Sequence, residues 1–220
     1  NATPGSYTEE EIEQLRDLAF RSAGKYVLSA WSYAYRRETL EKSGLRFVSE
    51  REVGSEDYLF NLSLLPSMKK VIVLQDALYD YDKREGSLTQ KYRQMLAKQY
   101  ACLHERLLES YDALQIKEKY AGLIHRFYVW HLVLGTCFPH EYYHATSEHS
   151  IADGRRNIRG IMRTNNFRIS IKNCDRKNLS NNKRIQLMAM KVGFEPLFYY
   201  LFACAYRGMG DSRTDLYFLI

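Results

Sequence analysis

Apolar residues recur at helical spacing through most of this chain and alternate with polar ones in only a few short stretches. Ile12, Leu15, Leu18 and Ala19 share one face of a helix that Thr8 and Glu11 open as a capping box. Glu9 and Glu10 suit its positive start and Gly24 is its stop signal. Tyr26-Val27-Leu28 reads as a short strand leading to Trp31, Arg37–Ser43 as a short helix ended by Gly44, and Arg46-Phe47-Val48 as another strand. Ser55 is placed to cap a helix buried by Leu59, Phe60, Leu62 and Leu64 and ended by Pro66, with Glu56 and Asp57 in its first turn. Lys70–Leu74 is β-branched enough for a strand, and Tyr79 and Tyr81 alternating with Asp80 and Asp82 predict a half-buried one.

Beyond residue 90 the pattern turns helical throughout. Tyr92, Leu96, Tyr100, Leu103, Leu107 and Tyr111 mark one long amphipathic helix; Tyr120, Ile124, Phe127, His131 and Leu134 mark a second. Further helices are expected near 141–149, 153–164, 181–192 and 195–207, with a polar loop over 173–182. The predicted class is therefore predominantly α, formally α+β. A small α/β piece over 1–90 precedes an all-α appendage over 91–220.

Composition narrows this only a little. The chain has 220 residues, 26% charged and 45% hydrophobic, with 4 Pro; long disordered regions are not expected. Its 18 Tyr suit a carbohydrate-handling surface and a packed helical core equally. Cys102, Cys137, Cys174 and Cys204 lie far apart with no C-x-x-C pair, which points to a reducing compartment. No signal peptide is evident, and no apolar run reaches the ~20 residues that span a bilayer. Asn1-Ala2 reads as the remnant of a removed expression tag, so a missing upstream segment is expected.

Three stretches stand in a telling order: Trp31-Ser32-Tyr33-Ala34-Tyr35-Arg36-Arg37-Glu38-Thr39-Leu40, then Glu56-Asp57-Tyr58-Leu59-Phe60, then Leu78-Tyr79-Asp80-Tyr81-Asp82-Lys83-Arg84-Glu85-Gly86-Ser87-Leu88-Thr89. Together they resemble the acceptor-side, C-terminal half of bacterial family 2 glycosyltransferases of the GT-A type. The resemblance implies inverting transfer from a nucleotide-sugar donor to a glycan or lipid-linked acceptor, as in polysaccharide biosynthesis. It implies Asp57 as catalytic base with Glu56 beside it, Trp31 lining the acceptor site, and Arg84, Ser87 and Thr89 in the loop that closes over the donor diphosphate. A carboxylate in a first helical turn is expected to stay ionised at neutral pH. Plain helix preference also puts acids there. The Mg²⁺ or Mn²⁺ of the intact enzyme, and the Asp-x-Asp that holds it, belong to a donor half that nothing before Trp31 resembles. Asp80-Tyr81-Asp82 spells that pattern downstream, where the family has other residues, and reads as coincidence. No metal is expected on this chain, and alone it should be inactive.

Two features lie outside the resemblance. His140-Glu141-Tyr142-Tyr143-His144 matches the H-E-x-x-H pattern of zinc hydrolases, but His149 is one residue off the spacing of a third ligand and the expected Gly is missing. Residues 155–191 hold eleven Lys or Arg against Asp175 alone, a local +10, so the rest must carry −4 to reach the net +6. Ile158, Ile161, Met162, Ile185, Leu187 and Met188 make these basic helices amphipathic, as for peripheral contact with an anionic membrane. No nucleic-acid motif accompanies the charge, so nucleic acid is not an expected partner. Asn61-Leu62-Ser63 and Asn178-Leu179-Ser180 spell glycosylation acceptors without meaning in a cytoplasmic protein. The alternative to a transferase is a non-enzymatic basic helical domain that binds a membrane or a protein partner.

Overall fold

The computed structural model describes residues 4–21, 28–76, 78–80, 91–143, 149–199 and 201. It begins with β1 (Gly5–Tyr7) and α1 (Glu9–Arg21), then a 3-10 turn at Ala30–Ser32. There follow α2 (Arg37–Ser43), α3 (Glu50–Val53), α4 (Glu56–Leu64), a second 3-10 turn at Leu65–Ser67 and β2 (Val71–Val73). The second half is α5 (Leu96–Ala113), α6 (Lys117–Phe127), wider π-helical turns over Tyr128–Cys137, α7 (Phe138–Tyr143), α8 (Ile151–Arg163), α9 (Asn165–Asn173) and α10 (Asn181–Val192). Residues 195–199 are helical again. The fold is predominantly α, as the periodicity predicts.

Several helices start and stop where side-chain chemistry or a glycine provides for their free backbone groups. Glu11 reaches back to accept the Thr8 N–H at 2.8 Å. Ser150 and Asp153 form a complete capping box on α8, Thr164 caps α9 and Ser180 caps α10. Gly44 and Gly193 close α2 and α10 in the left-handed conformation, φ 65° and 71°. Pro66 ends α4 inside the 3-10 turn that follows it. Ser55 makes no cap with its side chain; its Oγ instead lies 3.2 Å from the Tyr100 hydroxyl.

Strand expectations fare less well. β2 forms within the predicted Lys70–Leu74 run and pairs antiparallel with β1, Gly5 opposite Val73 and Tyr7 opposite Val71; β1 has no alternating pattern to announce it. Arg46-Phe47-Val48 is not a strand, because the Phe47 ring lies flat on Phe60 of α4 at 4.0 Å instead of joining a ladder. Tyr79 and Asp80 are exposed and not in a strand. Gly24, Tyr26, Val27, Tyr81, Asp82 and Cys204 lie outside the described residues.

One buried apolar cluster runs through both halves, joining Ile12, Phe20 and Leu62 to Leu107, Tyr111, Phe127 and Phe138. The Tyr128–Cys137 segment is buried on nearly every side and serves as the central rod. Around it, α5 packs on α3 and α4, and α6 packs on α1 and α9. Among the described residues no helix is long and apolar enough to cross a membrane.

Where α8 crosses α7 there is no space for a side chain. A Cβ added to Gly154 would sit 2.3 Å from the Glu141 carbonyl oxygen, a contact that only backbone movement relieves. Gly154→Ala is expected to lower stability by about 2 kcal/mol, the range of an overpacked core position. Urea unfolding measures it.

Candidate functional site

α4 opens against two other segments, and its own sequence brings them there. Gly54 ends α3 at φ 78°, and a Cβ on it would meet Gln99 and the Tyr100 ring at 3.1 Å. Only glycine lets the chain turn this close to α5. α5 and the residues before it then fix the junction. Arg93 donates from Nη2 to the Gly54 carbonyl at 3.1 Å and pairs with Glu50 at 3.4 Å. Gln99 donates to the Arg51 carbonyl at 2.9 Å, and Arg106 pairs with Glu52.

On the other side Asn61, one helical turn beyond Asp57 and buried, holds the Trp31 segment. Its Nδ2 donates to the Leu28 carbonyl at 2.6 Å and its Oδ1 accepts from the Tyr35 hydroxyl at 2.7 Å. Both ends of the 28–35 stretch are thereby tied to α4, and Tyr35 adds an edge contact to Phe60. Sequence reading missed Arg93, Tyr100 and Asn61. The signal available for Asn61 was a lone amide among the apolar residues of α4.

Asp57 meets the turn so anchored. Its carboxylate accepts the Tyr58 N–H at 2.9 Å and also takes a backbone bond from Ala30, the residue before Trp31. Burial pushes its pKa above the usual carboxylate range, the Glu56 charge adds to this, and the backbone bonds oppose both. A helix N-terminus alone predicts a lowered value; here desolvation wins. Tyr58, beside it, is pushed up to about 12 by burial and then by the Asp57 charge. Trp31 is 45% exposed and lies face to face with Tyr79 at 4.7 Å, itself 53% exposed. The result is a half-buried carboxylate next to an open aromatic plate.

Glu56 points elsewhere. It lines a cleft of about 150 Å³ with Arg46, Phe60, Ser63, Arg106 and Ser110. The structure thus brings Asp57 to the Trp31 turn and separates Glu56 from it. Arg84, Ser87 and Thr89 lie outside the described residues.

The H-E-x-x-H segment serves packing. His140 Nε2 accepts the Arg93 N–H at 2.7 Å. The Glu141 carboxylate accepts from the Tyr92 hydroxyl at 3.1 Å and from Asn157 Nδ2 at 2.9 Å, and His149 Nε2 lies 3.1 Å away. Tyr92 is sandwiched between the His140 and His149 rings. His144 is outside the described residues. Among the described residues no group of three His, Cys, Asp or Glu is arranged to hold a metal ion.

Over 78 residues, 36% of this chain, the sequence is 32% identical to the uncharacterized glycosyltransferase EpsJ of Bacillus subtilis (strain 168). The match spans 22% of that protein, so the chain covers about a fifth of the relative's length. No family model and no solved structure matches the chain. The chain is therefore similar, over part of its length, to a protein named as a glycosyltransferase.

Proposed function

We propose that this chain is the acceptor-side, C-terminal part of a cytoplasmic, inverting family 2 glycosyltransferase of GT-A type, with Asp57 as its catalytic base. The observation that carries the reading is the Asp57 carboxylate, held by the backbone beside the exposed Trp31–Tyr79 stack and made more basic by burial. The partial likeness to a protein named glycosyltransferase supports the same class.

In this reading the aromatic plate seats a sugar ring of the glycan or lipid-linked acceptor by stacking. The acceptor hydroxyl gives its proton to Asp57 as its oxygen bonds to the anomeric carbon from the face opposite the leaving group. The bond from that carbon to the diphosphate breaks, and its electron pair leaves on the diphosphate oxygen. A proton acceptor stronger than an ordinary carboxylate suits this step. Glu56 shapes the neighbouring cleft, and Arg84, Ser87 and Thr89 would close over the donor diphosphate. By the family resemblance, any Mg²⁺ or Mn²⁺ would be held by the donor half.

The 220-residue chain alone is expected to bind no UDP-sugar at micromolar concentration and to release no UDP from one. Joined to a donor-binding half, it is expected to transfer. Calorimetric titration and a UDP-release assay read the two cases. Micromolar donor binding by this chain alone overturns the assignment.

A further inference from the structure

We propose that the groove formed by α8, α9 and α10 is a docking site for the phosphate headgroups of an anionic lipid bilayer. The groove holds about 440 Å³, and six cations surround it: Arg159, Arg163, Arg168, Lys172, Arg176 and Lys191. Among the described residues no acid lines it. Its floor is apolar, made by Met162, Phe167, Ile171 and Met190.

The charge is left over after structural pairing. Asp175, the lone acid of the basic run, takes Arg21 and the buried Arg126. Glu195, 1% exposed, takes Arg155 and Arg159. Among the described residues, Arg163, Arg168, Lys172, Arg176 and Lys191 then have no carboxylate within ion-pair distance. Five unneutralised cations, four of them on three helices, stand around one concavity, repel one another and cost stability unless an anion is bound.

A second feature decides which anion. Ile185, Met188 and Val192 fall on one stripe of α10 at helical spacing and are 56%, 68% and 79% exposed. Val192 belongs to the groove wall, and Phe194, 54% exposed, follows it. A soluble polyanion gains nothing from such a stripe. A bilayer interface takes both parts, phosphates among the cations and apolar side chains at the headgroup boundary. This inference stands apart from the glycosyl-transfer reading.

Co-sedimentation with vesicles of phosphatidylcholine, with and without phosphatidylglycerol, tests it. Binding is expected only to the anionic vesicles and is expected to fall steeply with salt. The variant Arg163→Gln/Arg168→Gln/Lys172→Gln changes three exposed side chains and should retain the wild-type circular dichroism. Its partitioning is expected to drop on the order of 100-fold, the effect of three basic residues near a charged surface. Removing the same charge away from the groove, with Lys69→Gln/Lys70→Gln/Lys98→Gln, is expected to cost less than about threefold. Met188→Ser/Val192→Ser should also weaken binding while leaving its salt dependence intact. The proposal is overturned if wild type ignores anionic vesicles or if the distant triple variant loses as much as the groove variant. It is equally overturned if inorganic phosphate displaces the protein fully at an ionic strength where sodium chloride does not, which would assign the groove to a soluble phosphate.

Discussion

Asp57→Asn, in the protein that carries the donor half, is expected to lower kcat by about three orders of magnitude, inside the 10²–10⁴ range of a positioned general base. Asn keeps the size of Asp and can still accept the amide bonds from Ala30 and Tyr58, so the Trp31 turn stays in place. What it cannot do is take a proton. The pH profile should carry the same signature. A base works when deprotonated, so kcat/KM rises with pH through the Asp57 pKa, and burial sets that limb above the ordinary carboxylate range. Because the folded-state pKa is raised, the ionised carboxylate costs stability at neutral pH, where the unfolded chain solvates it freely. The Asn variant should therefore unfold at the same urea concentration as wild type or a higher one. Retention of kcat within tenfold of wild type would remove Asp57 from the mechanism. Trp31→Ala, by contrast, should raise the acceptor KM more than it lowers kcat, since stacking holds the ring in ground and transition states alike.

How much of this was legible in the residues depends on what each signal measures. The helices with a continuous apolar stripe, such as α5, and those with a clear cap, such as α1, could be placed within a few residues. α9 was missed because Asn165-Asn166-Phe167-Arg168-Ile169-Ser170-Ile171-Lys172-Asn173 offers few apolar positions amid polar ones, and only Phe167, Ser170 and Ile171 are buried. Its stability comes from packing on α6 and on the π-helical rod, which no local window contains. The site divides the same way. The acidic pair and the Trp31 stretch were visible as motifs, yet the reason they meet is Asn61, which sequence presented only as part of an Asn-x-Ser pattern. The raised Asp57 pKa also ran against the helix-end argument, because sequence shows the dipole but not the desolvation. The basic run was plain as a charge count. That its cations frame one concavity, after Asp175 and Glu195 have neutralised their neighbours, is a property of three helices together.

Acid is expected to unfold the protein through a histidine pair that the proposed chemistry does not use. His104 and His125 are 2% and 7% exposed, with Nε2 of the first 3.0 Å from Nδ1 of the second, and Ser170 Oγ lies 3.2 Å from the same Nδ1. Tyr128 stacks on the His104 ring at 4.5 Å. Burial, then the His125 charge, holds His104 down at about 3, against a weaker opposing bond from Asn166. Burial lowers His125 as well. In the unfolded chain each histidine takes up a proton below about pH 6.5, while folded His104 refuses one until about pH 3. Stability is thus present above the unfolded value and is lost as pH falls from about 6.5 toward 3. His104 alone accounts for about 2–3 kcal/mol by about pH 4.5, since each unit of pKa difference is worth about 1.4 kcal/mol. His104→Gln keeps a polar partner for His125 and cannot titrate. Urea unfolding of both proteins at about pH 7.5 and about pH 4.5 should show wild type losing about 2–3 kcal/mol more than the variant. Equal losses would mean that the pair gains its proton inside the folded core, and the burial argument for this corner of the bundle would be wrong.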